Sequence, residues 1–213
     1  MTYDVFFKIF DTKILPILLY SSEIWGLQRL DHIEKVHLLA CKRFLRVPVR
    51  TPNKMVYGEL GRYPVFINSY VSSVRYWLKL VSLEPHRLPY QAYQMLVNLD
   101  MAGKHCWVTQ IRSILCETGF HFVWLQQSVG DVRMFLNAFK QRLVNISIQE
   151  WNGSLRKSNR YINYVSVKTI FEKEKYISGM EIYCLRVALS QLRLNVLPIN
   201  NNVYRYSQSI QDK

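Results

Sequence analysis

The stretch GDVRMFLNAFKQRLVNISIQEW, residues 130–151, decides the fold. Val132, Phe135, Leu136, Phe139, Leu143, Ile146 and Trp151 recur mostly at three- and four-residue steps, which puts apolar side chains on one face of an α-helix. Gly130 and Asp131 supply the turn that opens it, and its length is that of a helix rather than a strand. The same period recurs on both sides. Upstream, residues 64–83 carry Ile67, Tyr70, Val71, Val74, Trp77, Leu78 and Val81 as one stripe. Between the two, YQAYQMLVNLDMAG and KHCWVTQIRSILCETG, closed by Gly103 and Gly119, predict a helical hairpin. FHFVWL is too short to assign by period and reads as a packed connector. Downstream, NGSLRKSNRY is a polar boundary, and YINYVSVKTIFEKEKYI and GMEIYCLRVALSQLRLNVLP predict two more helices, ended by Pro198 and the run from Asn200 to Asn202.

Toward the N-terminus, ILPILLYSSEIWG reads as a helix with an apolar surface from Ile14, Ile17 and Leu18, interrupted at Pro16 and closed by Gly26. In RLDHIEKVHLLACKRFL, the residues Leu30, Ile33, Val36, His37, Ala40 and Phe44 repeat the helical period, and Asp31 with Glu34 matches a capping box. Thr51-Pro52 predicts another helix start, threonine as cap and proline in the first turn, broken again at GELGRYP. The expected fold is all-α, a multi-helix bundle with irregular connectors. The expected division is 1–83 and 84–213, with a further boundary near 152–160.

Composition agrees with a folded helical chain: of 213 residues, 49% are hydrophobic and 14% aromatic, with only 8 glycines and 7 prolines. That excludes a disordered chain and a turn-rich all-β one. Lys and Arg number 28 against 15 for Asp and Glu, a net charge of +13, which makes a polyanion the first partner to expect, and nucleic acid the first polyanion. MTYDVFFKIFDTK lacks the pattern of a secretory signal, and no apolar run approaches the ~20 residues that span a bilayer. An intracellular protein, nuclear or cytoplasmic and without a membrane partner, is expected. Cys41, Cys106, Cys116 and Cys184 are scattered, without C-x-x-C, and read as reduced thiols.

Catalytic patterns are missing. Ser21 and Ser22 have neither a base at partner spacing nor a nucleophile elbow. Asp4, Asp11, Asp31, Asp100, Asp131 and Asp212 form no adjacent pair and no D-x-D, as two-metal phosphoryl chemistry requires. His105, Cys106, Cys116 and His121 are spaced poorly for zinc, and no phosphate-binding glycine loop occurs. No metal or cofactor is expected. The better pattern is basic: Lys35, Lys42, Arg43, Arg46, Arg50 and Lys54, with no acidic residue between the first and the last, form a candidate phosphate track. Arg156, Lys157 and Arg160, beside Tyr161, form a smaller one. Trp25 and Tyr161 are candidates for stacking on unpaired bases.

In succession, ILPILLYSSEIWG, EKVHLLACKRFLRVP and YGELGRYPVFINSYVSSVRYWLKL resemble the region downstream of the polymerase palm in LINE-type (non-LTR) retrotransposon reverse transcriptases. Tyr20, Glu23, Trp25 and Gly26 match that family's L-Y-G-x-E-x-W-G, with Ser21 where glycine is usual, and Glu59, Gly61 and Pro64 match its E-L-G-x-x-P. EKEKYI and LSQLRLNVLPI resemble the helix pair near the end of such polyproteins. The family's catalytic Tyr/Phe-x-Asp-Asp turn would precede residue 1, and its Cys/His knuckle would follow Lys213. The resemblance therefore implies a non-enzymatic thumb-like region (1–83) and helical connector (84–213) that hold RNA or an RNA–DNA hybrid by its backbone, with the absent palm as a further partner. In that reading Tyr20 and Trp25 pack the SSEIWG corner while Glu23 caps it or pairs with a cation. The alternative is a protein–protein interaction module whose basic surface is incidental.

Overall fold

The computed structural model describes residues 1–28, 30–158, 161–180 and 182–197. Its opening is a single helical rod in three parts: α1 (Tyr3–Ile9), a π-helical turn (Phe10–Ile14) and α2 (Leu15–Leu18). Pro16 explains the widened turn. It brings no N–H to the i−4 ladder and its ring collides with the preceding turn, and a π-turn absorbs both. After α3 (Ser22–Trp25) come α4 (Asp31–Leu45), α5 (Asn53–Leu60) and the sixteen-residue α6 (Phe66–Val81). Helices α7 (Leu88–Met101) and α8 (Trp107–Glu117) form the expected hairpin, each followed by a glycine at positive φ, Gly103 and Gly119. FHFVWL forms the short helix α9 (His121–Gln126), anchored by buried Val123. The chain is all-α. Among the described residues there is no strand, only one antiparallel bridge between Leu60 and Lys173.

Helix α10 (Val132–Lys157) organises the rest. The Asp131 carboxylate accepts the Met134 N–H at 2.9 Å, satisfying one of the orphan donors at the helix start. Its 26 residues run about 39 Å, long enough to serve two cores. Phe139 and Leu143 enter a core with Val74, Trp77, Ile111 and Leu115, where Trp77 stacks on Trp124 and donates its indole N–H to Tyr93 Oη at 3.2 Å. Further along, Trp151 and Leu155 enter a second core with Phe7, Phe10, Phe44, Val56 and Leu60. There α5 meets α10 at Gly58, where an added Cβ would stand 2.6 Å from the Trp151 ring. Residues on both sides of position 83 share the first core, and residues 7 to 194 share the second.

Several local expectations are corrected. The polar stretch NGSLRKSNRY is helical as far as Lys157, because Trp151 and Leu155 are buried anchors that outweigh the poor propensity of Asn152 and Gly153. The helix expected over YINYVSVKTIFEKEKYI is broken into α11 (Ile162–Val165) and α12 (Lys175–Gly179). Lys168 holds the loop between them: its ammonium is drawn inside and donates to the Glu172 carbonyl at 2.6 Å and the Glu174 carboxylate at 2.5 Å. The last described helix is α13 (Tyr183–Arg193), turned off by Asn195 at φ 54°. Pro198 and Asn200 to Asn202 lie outside the described residues. No described helix is long and apolar enough to cross a membrane, all four cysteines are free, and no group of three potential metal ligands gathers among the described residues.

Candidate nucleic-acid interface

Helix α4 carries the basic track, and its burial pattern sorts the track into outward and inward members. Lys35 and Arg43 are exposed. Arg46 caps the helix in the left-handed region (φ 56°), its side chain exposed and its Nε donating to Tyr183 Oη at 2.6 Å. Arg50 is exposed on the exit loop, and Lys54 is half-buried in the first turn of α5. Lys42 is a correction: it is only 6% exposed, and its ammonium donates to the Val49 carbonyl at 2.7 Å and Asn53 Oδ1 at 2.8 Å. It braces the loop between α4 and α5 and offers no phosphate contact; burial pulls its pKa below the ordinary lysine value.

The acidic residues bordering this track both face inward. Glu34 does not close a capping box; α4 begins without a side-chain cap. Its carboxylate accepts from the Tyr57 hydroxyl, from the Val65 N–H at 2.8 Å and from His37 Nδ1 at 3.2 Å. Because Arg62 Nε donates to His37 Nε2 at 3.0 Å, the imidazole proton sits on Nδ1, and Arg62 passes the chain on to Asp11. Burial opposes ionisation of Glu34, yet the donors from His37, Tyr57 and Val65 carry its pKa below the ordinary glutamate value. Nearby, burial pushes the Cys41 thiol up to about 12, which removes it as a nucleophile.

Glu59, the first residue of the E-L-G-x-x-P motif, has no exposed surface and accepts from Tyr176 Oη at 2.7 Å, Arg193 Nε at 2.6 Å and Tyr164 Oη at 3.2 Å. Burial, then the Glu59 charge, push the pKa of both tyrosines upward. Gly61 follows at φ 62°, with the Lys173 amide nitrogen 2.3 Å from where a Cβ would be. Pro64 then leads to Val65, whose N–H reaches Glu34. The motif thus fastens α5 to the far end of the chain.

The SSEIWG corner is structural but not packed as expected. The Tyr20 ring is 80% exposed; only its carbonyl takes part, accepting from Trp25 Nε1 at 3.0 Å. Ser21 sits at φ 55°, a conformation in which glycine costs less. At Gly26 a Cβ would stand 2.3 Å from the Ser22 carbonyl oxygen and 2.8 Å from Ser69 Cβ. The Glu23 carboxylate has no cap or ion pair among the described residues, while the Glu23 carbonyl accepts from Trp107 Nε1 at 3.1 Å. Thr51 likewise makes no cap; Pro52 takes that place and the Thr51 hydroxyl is buried without a partner.

The smaller basic cluster is outward too: Arg156 and Lys157 are exposed in the last turn of α10, where cations complement the helix dipole, and Arg160 lies outside the described residues. The indole N–H of Trp151 donates to the Lys54 carbonyl at 2.8 Å, tying this end of α10 to the start of α5. Tyr161 is half-buried against the second core and Trp25 half-buried at the corner. The residues that sequence reasoning missed are Tyr183 and Arg186, which approach Arg43 and Arg46 from 137 residues away in the Arg46–Tyr183 contact. Their only trace in the sequence is an arginine early in a helix whose first turn holds no acid. Comparison with family models, curated proteins and solved structures found no match to this chain.

Proposed function

We propose that the chain is a non-catalytic part of a LINE-type reverse transcriptase that binds the RNA or DNA backbone and holds a primer–template without reading its sequence. The reading is supported by the succession of motifs and, in the structure, by one observation: Glu34 and Glu59, the acids on either side of the basic track, both turn inward. With no acidic residue inside the stretch and its flanking glutamates drawn inward, the exposed charge from Lys35 to Lys54 is entirely positive. A polyanion needs no more than this, since phosphate contacts fix position without specifying bases. No reacting side chain is required of such a part.

Reversing charge at Lys35 and Arg43, both exposed, tests it. The double variant K35E/R43E should weaken binding to an RNA–DNA hybrid, single-stranded RNA and duplex DNA of several sequences alike. Binding that survives the reversal places the interface elsewhere. A protein partner is the second reading, favoured by the apolar groove of about 310 Å³ between α1 and α4, lined by Phe6, Ile9, Ile14, Val36 and Leu39. Concentration-dependent self-association without nucleic-acid affinity would support that reading and contradict the first.

A further inference from the structure

Where α4 ends against the start of α13, a second cavity of about 290 Å³ is walled by Arg43, Arg46, Tyr183 and Arg186, with Phe6 and Phe44 among its apolar lining. Among the described residues no carboxylate lines it. Arg186 is the unusual member. It is 8% exposed, its guanidinium lies 4.8 Å above the Phe44 ring and 5.3 Å from the Tyr183 ring, and no side chain or carbonyl among the described residues accepts a hydrogen bond from it. A guanidinium presents five N–H donors, and those of Arg186 face the cavity without a protein acceptor among the described residues while two aromatic faces hold its plane. Among the described residues, the other charges lining the cavity have the same sign as Arg186. It also sits near the positive end of α13, whose first turn holds no acid to balance the dipole. Unused donors, like charge and the helix dipole all call for an anion here, and one ligand class answers all three.

We infer that this cavity binds a phosphate group, with Arg186 as the buried fork and Arg43 and Arg46 as outer donors. Planar guanidinium groups match phosphate oxygens in pairs, which single ammonium charges do not. Tyr183 Oη accepts from Arg46 Nε and so aims that side chain, leaving its own proton for a phosphate oxygen. The phosphate is either a diester within a nucleic-acid backbone or a monoester at a chain end. The inference rests on the polyanion reading for the source of the group, though not for the pocket itself.

Calorimetric titration of the full chain with inorganic pyrophosphate, and with one oligonucleotide in 5′-phosphorylated and 5′-hydroxyl forms, tests it. Pyrophosphate should bind the wild type, roughly tenfold more weakly in R43Q/R46Q and roughly a hundredfold more weakly in R186Q, the range expected for charge-assisted hydrogen bonds. R186K retains charge while losing the fork, and should fall between wild type and R186Q. Should R186Q fail to fold, R43Q/R46Q carries the test, both residues being exposed. Pyrophosphate affinity unchanged in R43Q/R46Q and R186K, or absent in the wild type, overturns the pocket. A preference for the 5′-phosphorylated oligonucleotide, lost in the variants, supports a terminal monoester; equal binding of both forms, weakened equally in the variants, supports a backbone diester. Arginine-dependent pyrophosphate binding without oligonucleotide binding keeps the pocket and refutes the nucleic-acid reading. Oligonucleotide binding indifferent to all three variants does the reverse.

Discussion

Around Trp77 the protein is closed by hydrocarbon and stacked rings; around Trp151 it is closed by hydrocarbon threaded with buried charge. The first core takes its residues from consecutive helices, α6 to α10, with Leu27 ahead of them, and the hydrogen bonds of its side chains join neutral groups, among them the Trp77 indole on Tyr93, the Tyr93 hydroxyl on Gln127 at 2.5 Å and the Trp107 indole on the Glu23 carbonyl. The second gathers residues from both ends of the chain, holds Glu59, Glu174, Lys168 and Arg193 in hydrogen-bonded ion pairs, and keeps the Glu34 carboxylate among neutral donors. The lesson is one of division of labour. Contacts close in sequence can be secured by apolar period alone, whereas joining residue 59 to residue 193 uses directional bonds that accept only one register. The same arrangement takes Glu34 and Glu59 out of the surface and leaves the stretch from Lys35 to Lys54 cationic.

That contrast can be broken from either side. Glu59→Ala should be the most damaging change, about 3–5 kcal/mol, because it leaves Arg193, Tyr164 and Tyr176 without their common acceptor; urea unfolding at neutral pH measures it. Leu115→Ala, in the first core and fully buried, should cost about 2–5 kcal/mol by its cavity. The two cores should then part company with pH. The folded pKa of Glu34 lies below its unfolded value, so its contribution is complete above the ordinary glutamate range and is lost as the pH falls through the lowered folded value. Hydrogen exchange followed from neutral to acid pH should show α4 and α5 losing protection before α8, and equal loss in both would contradict the contrast.

Two smaller changes probe the SSEIWG corner, which leans on the first core through Ser69 and Trp107. Gly26→Ala forces a methyl against the Ser22 carbonyl and Ser69 and should cost about 1–3 kcal/mol. Ser21→Gly should stabilise by about 0.5 kcal/mol, the relief of positive φ being partly offset by the freer unfolded chain. Thermal melts of both variants read the signs directly.

What the sequence made legible follows the same division. Helices α6, α8 and α10 were readable because each repeats an apolar period over several turns, and α10 starts after the Gly130–Asp131 turn that was read as its opening. The long reach of α10 through Asn152 and Gly153 was not, since two tertiary anchors override local propensity there. Glu34 looked like a capping residue because its true partners, Tyr57 and Val65, are 23 and 31 positions away. Lys42 looked like a phosphate ligand because composition counts a buried ammonium and an exposed one alike. The cavity beside Arg43 needed Arg186 from the far end of the chain, and no spacing rule links the two.

The central claim is that the exposed cations of α4 and its exit bind phosphates, and the salt dependence of binding to a labelled RNA–DNA hybrid tests it most directly. Affinity should fall linearly on a log–log plot against salt, with K35E/R43E shallower than wild type by about one unit of slope for each phosphate contact removed. No binding at low salt, or affinity indifferent to salt, would contradict it.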